Sequence, residues 1–336
     1  MSDAGGDVTR AIELTPEHPP ARMAELAARA EDRGFDIAFS SSHYFNRDPF
    51  ATLSRMADAT DEIRLGPGVS NPYETHPVKL AAQTATIDEV SDGRAVFGVG
   101  AGDRSTLSNL GVERDSPLRR VLETFKLAED LWDGETVTHE GTFTATDASL
   151  NFEPPSASIP VYVGAQGPHM LRMSAKHADG VLINAAHPRD LEWAAEQIER
   201  GLDDRSPDRG SFESLAFASV SVAGEEEAAR EAARPPVAFI AGGAAEPVLE
   251  RHDIDREAAE DVSDALERGD LNEAFGHVTP EMIDAFCIAG TTETVAERFD
   301  AALEHVDGIV VGSPLGPNLE DAIDRASEAL ARATAD

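Results

Sequence analysis

Short apolar runs alternate with longer amphipathic ones along almost the whole chain, and this alternation restricts the fold more than any other feature. Strands are expected at residues 10–14, 35–40, 63–69, 95–100, 160–164, 180–184, 215–222 and 308–312. Runs such as FDIAFS, AVFGVG and GIVVG suit parallel strands buried on both faces, which need no polar alternation. Helices are expected over 19–33, 50–59, 77–90, 117–132, 168–177, 188–201, 292–305 and 318–333. In the first, Met23, Leu26, Ala27 and Ala30 share one face, and Gly34 stops it. Residues 134–153 read as an inserted β-hairpin, and 224–280 as an acidic helical insertion. Eight strand–helix units in one order favour a closed parallel α/β barrel over an open doubly wound sheet. The whole chain, 1–336, is then one domain carrying two insertions.

A barrel of this kind keeps its chemistry at the C-terminal ends of its strands. The segments to inspect are therefore Glu13, 40–47, 68–75, 100–106, 164–168, 184–187 and 312–316. Glu13 would point a carboxyl into the mouth, where burial raises a pKa and suits it to proton donation; the plainer reading is a solvated acid. Gly98-Val-Gly-Ala-Gly102-Asp103 is not a dinucleotide fingerprint, since Asp103 falls where the third glycine belongs. Either the turn needs positive φ, or the backbone makes room for a flat ring with Asp103 aimed into the mouth. Gly164-Ala-Gln-Gly167-Pro168 is an ordinary strand–helix turn or an anion cradle at a helix start. His76 reads more readily as a cap than as a catalyst. The ten histidines show no metal-ligand spacing, so no metal site is expected.

Acids number 63 against 28 Lys plus Arg, for a formal charge of -35. Lys79, Lys126 and Lys176 are the only lysines, so nearly all the cations are arginine. This balance argues against nucleic-acid binding, which needs a basic face, and against docking on anionic lipid. The acids are spread over the whole length, which excludes an acidic tail and points to a surface solvated in strong salt. The single Cys287 allows no internal disulfide. No apolar run is long enough for a membrane span, and MSDAGGDVTR shows no leader pattern, so a cytoplasmic protein is expected.

Several segments together resemble one family. Ala11-Ile-Glu13-Leu-Thr-Pro16, His43-Tyr-Phe-Asn46-Arg47, Gly68-Val-Ser-Asn71-Pro-Tyr-Glu-Thr-His76-Pro77, Gly93 to Asp103 and Tyr162 to Pro168 stand in the order found in the coenzyme F420-dependent 5,10-methylenetetrahydromethanopterin reductases, within the bacterial luciferase-like superfamily. The resemblance covers nearly the whole chain and is densest over 11–187. It implies a TIM (β/α)8 barrel of the luciferase-like type, with a deazaflavin in its mouth and a non-proline cis peptide, here Gly68–Val69, against the deazaflavin face. Glu13 then matches the family's proposed proton donor, and Asp103 its partner aspartate. His43, Gly68, Val69, Asn71, Gly100, Gly102, Ala165, Gln166 and Gly167 fall at cofactor-binding positions, the last three beside the cofactor phosphate.

The activity implied is hydride transfer from reduced F420 to the methylene carbon of a tetrahydropterin, either tetrahydromethanopterin or tetrahydrofolate. A homodimer or larger homo-oligomer is also implied. The alternatives are another F420-dependent oxidoreductase acting on an alcohol or sugar phosphate, with His43 as base, an FMN-dependent monooxygenase, and a non-catalytic flavin-binding barrel.

The charge generates a prediction of its own. At molar salt the screening length falls to about 3 Å, so repulsion among the surface carboxylates is suppressed. The melting temperature is therefore expected to rise through a KCl series; a flat profile would contradict the reading of a salt-in halophile.

Overall fold

A computed structural model describes residues 8–156 and 158–335. Residues 1–7, on which most of the leader reading rests, lie outside them. The chain divides into two compact units. One is formed by Ala11–Ile183 and Glu196–Leu215, the other mainly by Asn184–Ala195 and the chain from Ala216 onward.

The first unit carries β1 (Thr9–Glu13), β2 (Ile37–Ser40), β3 (Arg64–Pro67), β4 (Phe97–Val99), β5 (Val137–Glu140), β6 (Thr144–Ala148), β7 (Val161–Ala165) and β8 (Gly180–Ile183). Parallel register aligns Ala11 with Ile37, Ser40 with Pro67, Val99 with Val163 and Ala165 with Ile183. Bridges Leu65↔Ala95 and Ser70↔Val99 join β3 to β4. Every residue of β2, β4 and β8 is buried, as their unbroken apolar runs require. Helices begin where prolines allow: Pro20, Pro49, Pro77, Pro117 and Pro168 each occupy a first turn.

The second unit carries β9 (Glu213–Val222), β10 (Ile288–Gly290) and β11 (Gly308–Leu315). The sheet order is β3-β2-β1-β11-β9-β8-β7-β4, with β10 paired to β9. With β3 bridged to β4, this is the order of a closed parallel α/β barrel, and its eight main strands are those expected. The addition is β10, whose IAG is too short to stand out as an apolar run. The helical insertion is also found, as helices Glu226–Gly242, Glu246–Arg251, Arg256–Glu267 and Leu271–His277. Val237, Val262, Met282, Ile283 and Cys287 are buried in its core. Desolvation there pushes the Cys287 thiol up to about 12, so it stays protonated and unreactive. In the same unit Asp190 accepts hydrogen bonds from Arg251 and from His252 Nε2 (2.7 Å).

Two side chains hold the first unit's outer elements. Arg94 uses all five of its N–H donors, on the carbonyls of Ser91, Ile63, Ala57 and Thr60 and on Thr60 Oγ1. Glu123, on the helix Pro117–Trp132, ties the antiparallel β5–β6 hairpin down. It accepts from Thr142 N (2.8 Å), Thr142 Oγ1 (2.8 Å), His139 Nε2 (3.1 Å) and Arg119 Nε (2.5 Å). Burial alone would raise its pKa, but these donors outweigh it and lower it to about 2.

Because the folded value lies below the ordinary carboxylate value, this stabilisation is complete above pH 4.5 and is lost as pH falls towards about 2. Glu123→Gln is expected to cost about 1–3 kcal/mol at neutral pH and to flatten the acid limb of the stability curve, measured by denaturant melts between pH 2 and 7.

Candidate active site

The first unit brings the C-terminal ends of β1, β2, β3, β4 and β7 side by side. Glu13 is in register with Phe39, and Leu14 N donates to Phe39 O (2.8 Å). Gly68 N donates to Ser40 O (2.9 Å), Ser70 N to Gly98 O (3.0 Å) and Gly100 N to Ser70 O (2.9 Å). Residues 13, 39–41, 68–71, 98–103 and 163–167 thus form one continuous rim.

At its centre the Gly68–Val69 peptide is cis, where the resemblance placed it. β3 stops at Pro67, short of the expected residue 69, and Ser70 pairs with Val99 only as an isolated bridge. The Val69 side chain packs against glycines on two neighbouring strands. A Cβ on Gly100 would lie 2.6 Å from Val69 Cγ2, and one on Gly164 would lie 3.2 Å from it. A Cβ on Gly98 would collide with the carbonyl of Pro67. Gly102 differs: it takes φ +69 beside the buried Asn71. The turn reading holds at Gly102, whereas the space beside Gly98 and Gly100 is taken by the Pro67 carbonyl and the Val69 side chain, and Asp103 turns back to cap its own helix.

Glu13 is 9% exposed, and the Thr15 hydroxyl donates to its Oε1 (3.3 Å). Asp103 caps the short helix Arg104–Asn109, accepting on Oδ1 from Ser105 Oγ (2.5 Å), Thr106 N (2.9 Å) and Thr106 Oγ1 (3.1 Å). Partial burial pushes its pKa up, but these donors prevail and lower it, so the carboxylate stays ionised. Asn71 Oδ1 accepts from Tyr73 N (3.1 Å) and Glu74 N (3.0 Å), which sets the loop after β3. Gly167 begins the helix Pro168–His177 with no side-chain cap. Ala165 is buried at the end of β7, with Gln166 exposed after it.

The histidines separate. His76 donates through Nε2 to Thr144 O (3.0 Å) and accepts at Nδ1 from Val78 N (3.3 Å), so it caps its helix, as the plainer reading had it. His43 lies on the loop after β2, its ring stacked on Phe45 with centroids 5.1 Å apart. Among the described residues no cluster of three metal-ligating side chains occurs.

Sequence reasoning did not single out three serines on this rim. Ser40, Ser41 and Ser70 are 0%, 3% and 2% exposed, and none of their hydroxyls has a hydrogen-bond partner among the described residues. Buried hydroxyls without partners are costly, so a polar guest at the rim that satisfies them is favoured. The available signal was position alone: Ser40 and Ser41 at the end of one buried strand and Ser70 just past another, within the segments 40–47 and 68–75.

Known proteins give matching results. The family model described as luciferase-like monooxygenase matches residues 6–308. The 5,10-methylenetetrahydromethanopterin reductase of Archaeoglobus fulgidus is 42% identical over 318 residues, 93% of this chain and 95% of that protein. Its counterpart from Methanopyrus kandleri is 38% identical, over 95% of this chain and 96% of that protein. The solved structure of the coenzyme F420-dependent tetrahydromethanopterin reductase from Methanopyrus kandleri superposes with a TM-score of 0.90 at 37% identity, over 96% of this chain and 98% of that one. An F420-dependent secondary alcohol dehydrogenase shares the fold at 21% identity, with a TM-score of 0.77.

The glycine packing is testable through stability. Gly98→Ala must displace backbone and is expected to cost about 1–3 kcal/mol. Gly167→Ala meets nothing within 4 Å and has φ -94; it is expected to stay within about 0.5 kcal/mol of the parent. Denaturant melts of the two variants side by side check this.

Proposed function

The chain belongs to the luciferase-like monooxygenase family, among the 5,10-methylenetetrahydromethanopterin reductases, and from that membership we infer that it is an F420-dependent oxidoreductase that reduces a 5,10-methylene-tetrahydropterin to its 5-methyl form. The observation that carries this reading is the near-full-length match at 42% identity. No helix among the described residues is long and apolar enough to cross a membrane. We read the chain as a single barrel domain working in the cytoplasm, as a homodimer or larger homo-oligomer.

The rim fits a flat, polar cofactor. Its glycines keep side chains away from the Val69 bulge, and its three partnerless serine hydroxyls need a polar guest. In this reading the Gly68–Val69 bulge backs the ring, with His43, Asn71, Gly100 and Gly102 around it. Ala165, Gln166 and Gly167 would hold the phosphate at the start of the helix Pro168–His177, which has no side-chain cap. When bound, reduced F420 supplies the hydride; the protein's part is positioning and proton transfer.

Glu13 is the proton donor in this reading. Protonating a nitrogen of the imidazolidine opens that ring to an iminium, whose carbon becomes the hydride acceptor. Asp103, held ionised by its helix, cannot share that proton. Its role is electrostatic: a fixed negative charge on the rim favours a cationic iminium. Either pterin carrier presents the same reacting ring, so methylene-tetrahydrofolate is a substrate candidate beside methylene-tetrahydromethanopterin.

Two measurements test this. An anaerobic assay in molar KCl, following oxidation of reduced F420 with each pterin, is expected to give turnover with at least one; F420 binding without turnover on either would overturn the reductase. Glu13→Gln is expected to keep F420 binding and lower kcat about 10²–10⁴-fold. Near-parental turnover in that variant would remove Glu13 from the mechanism.

A further inference from the structure

Beside the rim, the loop after helix Arg104–Asn109 folds back and leaves a cavity of about 380 Å³, whose walls include Arg104, Ser108, Glu113 and Arg114. Cations are scarce in this chain, and most that face solvent have a carboxylate partner: Arg22 with Glu25, Arg55 with Asp58, Arg256 with Glu246 and Glu260, Arg332 with Glu328. Arg104 and Arg114 depart from that pattern. Neither has an ion pair among the described residues, although both face the same cavity.

Arg114 is anchored. Its Nε donates to Ala101 O (2.9 Å), between the two rim glycines Gly100 and Gly102, and its two terminal nitrogens make no hydrogen bond among the described residues. Burial and then the neighbouring charge of Arg104 lower its pKa, against smaller opposing effects of Tyr73 and Asp103. Two guanidinium groups on one cavity repel each other, a local excess of positive charge in a chain of net charge -35 that a bound anion would relieve. Glu113 on the cavity wall offsets one of the two charges and leaves the lining net positive. The far end of the same helix reaches the loop after β2, where Asn109 Nδ2 donates to Tyr44 OH (3.4 Å). The helix thus connects the arginine cavity to the site's edge.

We propose that Arg104 and Arg114 form an anion subsite that takes carboxylates carried, away from the reacting ring, by a reactant bound at the neighbouring rim. The proposal rests on the reductase reading, which places a tailed deazaflavin and a tailed pterin at that rim. Each bears carboxylates away from its reacting ring, so the chemistry is shared and the titrations distinguish the source.

The test is fluorescence titration of the full-length protein, at the lowest KCl that keeps it folded, because screening at molar salt would mask the effect. The ligands are F420 and its deazaflavin nucleoside, which lacks phosphate and glutamates; KM is measured in parallel for mono- and triglutamyl methylene-tetrahydrofolate and for methylene-tetrahydromethanopterin. Arg104→Gln and Arg114→Gln are each expected to weaken a tailed ligand about 5–10-fold, with the tailless nucleoside unaffected. Arg104→Lys is expected to recover most of the loss. Arg55→Gln, which removes an exposed cation from an ion pair, serves as the charge control.

A shift in the F420 dissociation constant assigns the tail to the cofactor, and a shift in pterin KM assigns it to the substrate. Equal affinities, within twofold, for every ligand in both Gln variants overturn the subsite. So does equal weakening of the nucleoside and F420, which would indicate damage to the rim. Parent protein that binds no F420 at all defeats the reductase reading itself, and that failure is visible before any variant is made.

Discussion

The site depends on the close approach of two backbones, where the end of β3 bulges towards β4. The Val69 side chain occupies space that glycines leave free at 100 and 164, and the carbonyl of Pro67 occupies space left free at 98. Glycine costs more conformational entropy on folding than any other residue, so three of them on adjacent buried strands are accounted for by this contact. The bulge also positions the residues after it. Ser70 bonds to both Gly98 and Gly100, and Asn71 then packs on the left-handed Gly102 and organises the next turn through Tyr73 and Glu74. One packing relation therefore places Ser70, Asn71, Gly100 and Gly102 together on the rim.

Charge is organised differently at the surface and at the rim. Over the surface, carboxylates outnumber cations, and many arginines are spent on neighbours three or four residues away, pairs worth little individually. At the rim each charged group has a distinct assignment. Asp103 is locked by its own helix, and Arg114 by the Ala101 carbonyl. Glu13 is sequestered behind Thr15. The contrast separates charge exposed to water from charge fixed by hydrogen bonds at the rim.

Much of this was legible in the sequence, for physical reasons. Buried parallel strands are rich in apolar residues, so short apolar runs marked all eight main strands, and prolines marked many of the helix starts. Register carried the strand ends, and with them Glu13, Gly68, Asn71 and Gly100, to one rim. What escaped depends on contacts between distant residues. β10 is three residues long and is a strand only because β9 lies beside it. The helix Arg104–Asn109 is too short to show a period. Arg104 and Arg114 are ten residues apart with no helical or strand spacing to relate them, and only the folded loop brings them to one cavity. The three serines look like ordinary strand-end residues until burial removes their water.

Arg94 carries a different consequence. Four of its five acceptors are backbone carbonyls and the fifth is a hydroxyl, none of which gains a proton at any ordinary pH. Its bonds to the segments around Ala57, Ile63 and Ser91 are therefore insensitive to acid, whereas the carboxylate holding the β5–β6 hairpin is not. The first unit is therefore held by contacts of two kinds: those of Arg94 persist in acid, while those of Glu123 to the hairpin and of Glu31 to the amides of Asp61, Glu62 and Ile63 weaken as their carboxylates gain protons.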